Sequence, residues 1–76
     1  MIVDSVRAIW CRELQCDDIS VDDDFFALGG QSLIMVRIQG AFLEELGVEV
    51  PMDQMFLNST VASISAYIES LSAVAP

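Results

Sequence analysis

Ser32 is the side chain in this sequence best placed to do chemistry. It follows Gly29-Gly30-Gln31 and precedes the apolar run Leu33-Ile34-Met35-Val36, so its hydroxyl stands where a glycine turn enters a helix. A serine there can cap the helix, its oxygen accepting the N–H of Met35 three residues on. The pair of glycines removes side-chain bulk beside the hydroxyl, which lets another protein's active site approach the backbone closely. The helix start also favours a phosphate, because its first N–H groups lack intrahelical partners and the dipole is positive there.

Self-catalysis fails on the rest of the chain. There is no histidine to act as general base in a Ser-His-Asp arrangement, and no lysine to replace it. The hydrolase elbow needs G-x-S-x-G, and Gly30-Gln31-Ser32-Leu33-Ile34 lacks the second glycine. No G-K-[ST] follows the glycines, so they are not a phosphate-binding P-loop. The acidic run Asp17, Asp18, Asp22, Asp23, Asp24 fails as a calcium loop in both registers. From Asp18, Asp23 occupies the glycine position and Gly29 that of the final glutamate; from Asp22, Phe26 occupies a ligand position. No catalytic and no metal-ligating residue is assigned. What survives is a serine modified by another protein.

Composition sets the same bounds. At 76 residues the chain is one domain with room for three or four helices and none for a walled substrate cavity. Twelve carboxylates face three arginines, for a net charge of −9, which argues against nucleic acid and anionic membranes as partners. Proteins with basic docking patches fit better. Cys11 and Cys16 lack disulfide-framework spacing and indicate a reduced, cytoplasmic setting. No signal peptide, transit peptide or membrane-spanning stretch is recognised.

The elements that must position Ser32 follow from periodicity. Ile2, Val6, Ile9, Trp10 and Leu14 form one stripe of a first helix, with Trp10 expected in the core and its N–H near the surface. Residues 15–31 are a long connection, which Ile19, Val21, Phe25, Phe26 and Leu28 can pin. Ser32 to Leu46 reads as a second helix closed by Gly47. It carries one apolar seam at Met35, Ile38, Phe42 and Leu46, and a second at Leu33 and Val36 that Gly40 continues with Ile34 nearby; such a helix is either buried on both faces or keeps one for a partner, and in so short a chain the second is expected. Pro51 ends a short extended piece, Met52–Leu57 allows one helical turn, and Asn58-Ser59-Thr60 supplies capping residues. Val61, Ile64, Ile68 and Leu71 stripe a last helix over Val61 to Leu71, and Val74-Ala75-Pro76 reads as the start of a linker.

Phe25-Phe26-Ala27-Leu28-Gly29-Gly30-Gln31-Ser32-Leu33 resembles the FFxLGGxSL signature of carrier domains, specifically the peptidyl carrier (thiolation) domains of non-ribosomal peptide synthetases. Ile9-Trp10 resembles the family's first-helix pair, Glu45-Leu46-Gly47-Val48-Glu49-Val50-Pro51 its ELGVxVP link, and Phe56 with Ser59-Thr60-Val61 its F…PTV entry to the last helix. Ser59 replaces the proline of that entry, where it can still cap. The resemblance implies an all-α four-helix bundle of acyl-carrier type, with a long first loop and a short third helix. It implies a single carrier domain over residues 1–76, working as a monomer or as a module of a larger chain. It implies 4′-phosphopantetheine attached to Ser32, flanked by Gly30, Gln31 and Leu33, and donated from coenzyme A by a phosphopantetheinyl transferase.

The arm would hold aminoacyl, peptidyl or acyl chains as thioesters for adenylation, condensation, thioesterase or ketosynthase-type domains, met through Leu33, Val36 and Met55. The chain would itself be no enzyme. Polyketide and fatty-acid carriers usually show D-S-L and early acids in the second helix; here Gln31 precedes the serine, and Arg37 is the charge before Glu44. The peptidyl branch is thereby favoured over the acyl branch. An unmodified acidic interaction module with methionines at 35, 52 and 55 is the remaining alternative.

Overall fold

The computed structural model describes residues 2–73, so the expected linker at 74–76 lies outside them. Four helices follow one another: α1 (Ile2–Leu14), α2 (Ser32–Ala41), α3 (Met52–Leu57) and α4 (Val61–Ala73). A π-helical turn, Phe42–Leu46, continues α2 without a break. No strand occurs among the described residues; Asp24 and Thr60 form an isolated bridge.

The stripes read from the sequence are the ones that meet. Val6, Ile9 and Trp10 of α1, Met35, Ile38 and Phe42 of the second helix, and Val61, Ile64 and Ile68 of α4 form one core with Ile19, Phe25, Val50 and Met55. Leu71, at the end of the α4 stripe, is exposed. Trp10 departs from expectation. Its ring is wholly buried, with Phe25 edge-on at 5.5 Å, and its Nε1–H is buried with no partner among the described residues.

Helix ends obey local chemistry. Gln15 adopts φ 53°, and the N–H groups of Gln15 and Cys16 return to the carbonyls of Arg12 and Cys11, the paired bonds of a Schellman turn. Cys11 and Cys16 are free thiols packed at the edge of the core. Gly47, at φ 66°, closes the second helix as expected. Thr60 caps α4: its Oγ1 accepts the N–H of Ser63, while Ser63 Oγ accepts the N–H of Thr60. Ser59 therefore does not cap α4. Its hydroxyl donates to Asp24 instead.

Candidate functional site

The approach to Ser32 is a loop fastened to the start of α4. Phe25 N–H donates to the carbonyl of Ser59 at 2.7 Å, and Ala62 N–H to that of Val21 at 2.9 Å. Asp24 joins these contacts, with its carboxylate accepting Ser59 Oγ–H and the N–H groups of Phe26 (2.9 Å) and Ala27 (3.1 Å). Those donors, Ser59 first, hold the Asp24 carboxyl below the ordinary carboxylate range. Of the expected pins, Ile19 and Phe25 are buried, whereas Phe26 is half exposed. The Phe26 ring stacks on Phe56 of α3, with centroids 5.9 Å apart and planes 6° from parallel.

The two glycines do different work. Gly29 turns the chain at φ 87°, with open space where a side chain would be. Gly30 lies against Phe25, and a β-carbon there would overlap the ring. Its N–H also donates to the Phe25 carbonyl at 3.0 Å. Access to the hydroxyl thus comes from Gly29, while Gly30 is required by packing.

This approach changes the role of Ser32. Gln31, extended at φ −129° and ψ 165°, takes the N-cap position, and its carbonyl accepts the Met35 N–H at 3.0 Å. Ser32 is the first helical residue rather than the cap, because the extended Gln31 already supplies the carbonyl of the first helical hydrogen bond. No side-chain cap closes α2, and no acidic residue stands in its first turn. The Ser32 side chain is exposed and makes no hydrogen bond among the described residues. An uncapped, acid-free helix start is a fitting place for a singly charged phosphodiester, which the free N–H groups and the dipole would stabilise by about 0.3–1 kcal/mol.

The remaining site residues divide. Gln31, Leu33 and Val36 are on the surface, with Leu33 63% exposed, and Gly30 is half-buried. Met55 is corrected: it is 2% exposed, turned into the core between α2 and the rest of the bundle, and unavailable to a partner. The surface of α3 is carried by its neighbours Phe56 and Leu57, the latter 74% exposed. Phe56 carries part of the family resemblance, whereas nothing in the sequence singles out Leu57. Arg12 of α1 reaches Glu45 in the π turn, Nη1 to Oε1 3.2 Å, and each side chain keeps the other charged. Among the described residues no cluster of metal-ligating side chains occurs and no helix is long and apolar enough to cross a membrane.

Comparison with known proteins bears on the same stretch. Residues 4–68 match the family described as "Phosphopantetheine attachment site". The chain is 37% identical over 67 residues to surfactin synthase subunit 3 of Bacillus subtilis (strain 168), covering 88% of itself and 5% of that protein. It therefore spans a small fraction of that curated relative. Among solved structures it superposes on BlmI, a type-II acyl-carrier protein from Streptomyces verticillus involved in bleomycin biosynthesis. The TM-score is 0.87 at 26% identity, over 92% of this chain and 84% of that one. A chain in the structure of the phosphopantetheine transferase Sfp with coenzyme A and a peptidyl carrier protein gives 0.88 at 26% identity, over 92% and 91%. With the family match spanning most of the residues and the fold of carrier proteins reproduced over most of the chain, the chain belongs to the phosphopantetheine-attachment family of carrier domains.

Proposed function

We propose that this chain is a peptidyl carrier domain whose phosphopantetheine is attached at Ser32, and that residues 1–76 form one such domain acting in the cytoplasm within a non-ribosomal peptide or hybrid assembly line. The observation that carries the reading is the free, exposed Ser32 hydroxyl at an uncapped helix start. Gly30 and Gln31 set the direction in which the hydroxyl is presented, and Leu33 offers an apolar contact beside it. The open N–H groups of the first turn would hold the phosphodiester after attachment.

In that attachment Ser32 Oγ forms a bond to the pantetheine-bearing phosphorus of coenzyme A. The pyrophosphate P–O bond breaks, 3′,5′-ADP leaves, and the hydroxyl proton passes to a base of the transferase, since this chain has no histidine or lysine to receive it. When bound, the group supplies a thiol that carries acyl or aminoacyl cargo as a thioester and raises its effective concentration at neighbouring active sites. Leu33 and Val36 are the proposed contacts for the transferase and for the adenylation, condensation, thioesterase or ketosynthase-type domains. Phe56 and Leu57 take the place expected of Met55.

Incubation with coenzyme A, Mg²⁺ and a promiscuous phosphopantetheinyl transferase should add one phosphopantetheine by intact mass, and Ser32→Ala should abolish the gain. A gain that persists in the variant, or none in the native chain, overturns the attachment site. The acyl-carrier alternative is separated by cargo, as loading by an adenylation domain rather than an acyltransferase is expected from the absence of acids early in α2.

A further inference from the structure

The turn that ends α1 brings the two cysteines of the chain together. Gln15, left-handed at φ 53°, reverses the backbone so that its own N–H meets the Arg12 carbonyl and the Cys16 N–H meets the Cys11 carbonyl at 3.1 Å. In a turn of this kind the residues that open and close it commonly carry apolar side chains that touch. Here those places hold Cys11 and Cys16. Both are free and half-buried, and both pack against the edge of one core. A direct backbone hydrogen bond holds two α-carbons about 5–6 Å apart, inside the roughly 4.4–6.8 Å that a disulfide spans. Spacing alone does not show this pairing. On an unbroken helix, side chains five residues apart stand about 140° apart around the axis, and only the reversal at Gln15 aligns them.

We infer that Cys11 and Cys16 form a reversible disulfide site, reduced at rest and closed by exchange with a small-molecule disulfide such as glutathione disulfide. The thiolate of one cysteine attacks a glutathione sulfur, the S–S bond of the reagent breaks, and one glutathione leaves as its thiol. The thiolate of the other cysteine then attacks the cysteine sulfur of the mixed disulfide. The Sγ–Sγ bond forms and the second glutathione leaves. The protein gives up two electrons and two protons, and the reagent takes both. Neither sulfur is sealed in the core, so the reagent can reach them. The closed bond would pin the end of α1 to the start of the 15–31 loop, on either side of Arg12, whose guanidinium holds Glu45 of the π turn. Because the folded backbone already forms the turn, folding should favour the disulfide, and by linkage the disulfide should favour folding by the same factor. The site is independent of attachment at Ser32.

The test uses the whole chain produced without a phosphopantetheinyl transferase, so that Cys11 and Cys16 are its only thiols. It is equilibrated with glutathione and glutathione disulfide, quenched in acid and weighed intact. The expected product has lost two hydrogens, takes up no iodoacetamide and yields a peptide joined between residues 11 and 16. At one fixed glutathione couple, the ratio of disulfide to dithiol should be at least about tenfold higher in the folded chain than in urea. The urea midpoint of the oxidised chain should rise above that of the reduced one. Cys11→Ser and Cys16→Ser should each take up a single glutathione instead. Gln15→Pro, whose φ cannot turn positive, should lower the folded ratio towards the urea value, with helix content followed by circular dichroism. A native chain that takes up two glutathiones, or links to a second copy, overturns the inference. So does a ratio no higher in the folded chain than in urea, or a folded Gln15→Pro chain that keeps the native ratio. Should Gln15→Pro fail to fold, the native chain compared with and without urea still decides. None of these outcomes bears on Ser32.

Discussion

The residues before Ser32 and those after it are built in opposite ways. Upstream, Val21, Asp24, Phe25 and Gly30 are each held by a hydrogen bond or an aromatic ring, several of them to the start of α4. Downstream, the outer face of α2 presents Leu33, Val36 and Leu43 to solvent with none of the described residues covering them, while its inner face is buried at Met35, Ile38 and Phe42. The hydroxyl thus stands at the junction of a fixed approach and an open exit. A carrier needs both features. Its attachment point must be presented in a constant direction, and the surface beside it must remain vacant for successive partners.

Two substitutions within the same nine-residue signature should expose that difference most strongly. Phe25→Ala removes a wholly buried ring that touches Trp10, Phe26 and Gly30, and should cost about 3–5 kcal/mol in chemical denaturation. Leu33→Ala, at the other end of the signature, should change stability by no more than about 0.5 kcal/mol and instead slow loading by the transferase. Equal stability losses would break the contrast.

The glycines sharpen it further. Gly30→Ala forces a methyl against the Phe25 ring and should destabilise by about 1–3 kcal/mol. Gly40→Ala, downstream, meets open space in a helical conformation and should stabilise by about 0.5–1 kcal/mol. Thermal melts of the pair should therefore move in opposite directions.

What is legible in the sequence has a physical boundary. Three of the helices are readable because their stripes run for three turns or more and Gly47 and Pro51 punctuate them unambiguously. The open seam at Leu33, Val36 and Gly40 is readable because one helix carries more apolar residues than one core can cover. The inward face of α3 is not, since six residues make fewer than two turns, and Met55 is the one that turns in. The cap of α2 escapes for a different reason. Whether Ser32 or Gln31 occupies that position depends on which of them is extended, and the backbone of Gln31 is, although a serine before an apolar run is the commoner cap. Ser59 shows the same limit, because its partner Asp24 is 35 residues away.

That Asp24–Ser59 contact gives the smallest effect, and a pH-dependent one. Folding lowers the Asp24 pKa through Ser59 Oγ–H first, then the Ala27 and Phe26 N–H groups, so the folded chain binds its proton less readily than the unfolded chain. The stabilisation is therefore complete above the unfolded carboxylate range and is lost as pH falls and the folded carboxylate protonates. Asp24→Asn removes the titration while keeping the side chain's shape. Urea midpoints should show the variant below the native chain near neutrality, with the two converging as the pH is lowered through the range where the folded carboxylate protonates. Ser59→Ala should narrow the gap in the same direction, since it removes the largest contributor. Leu33→Ala supplies the downstream control. Its side chain is exposed and carries no charge, so its curve should run parallel to the native one at every pH. A Leu33→Ala curve that converged as Asp24→Asn does would mean that the fastening upstream and the open face downstream are not independent.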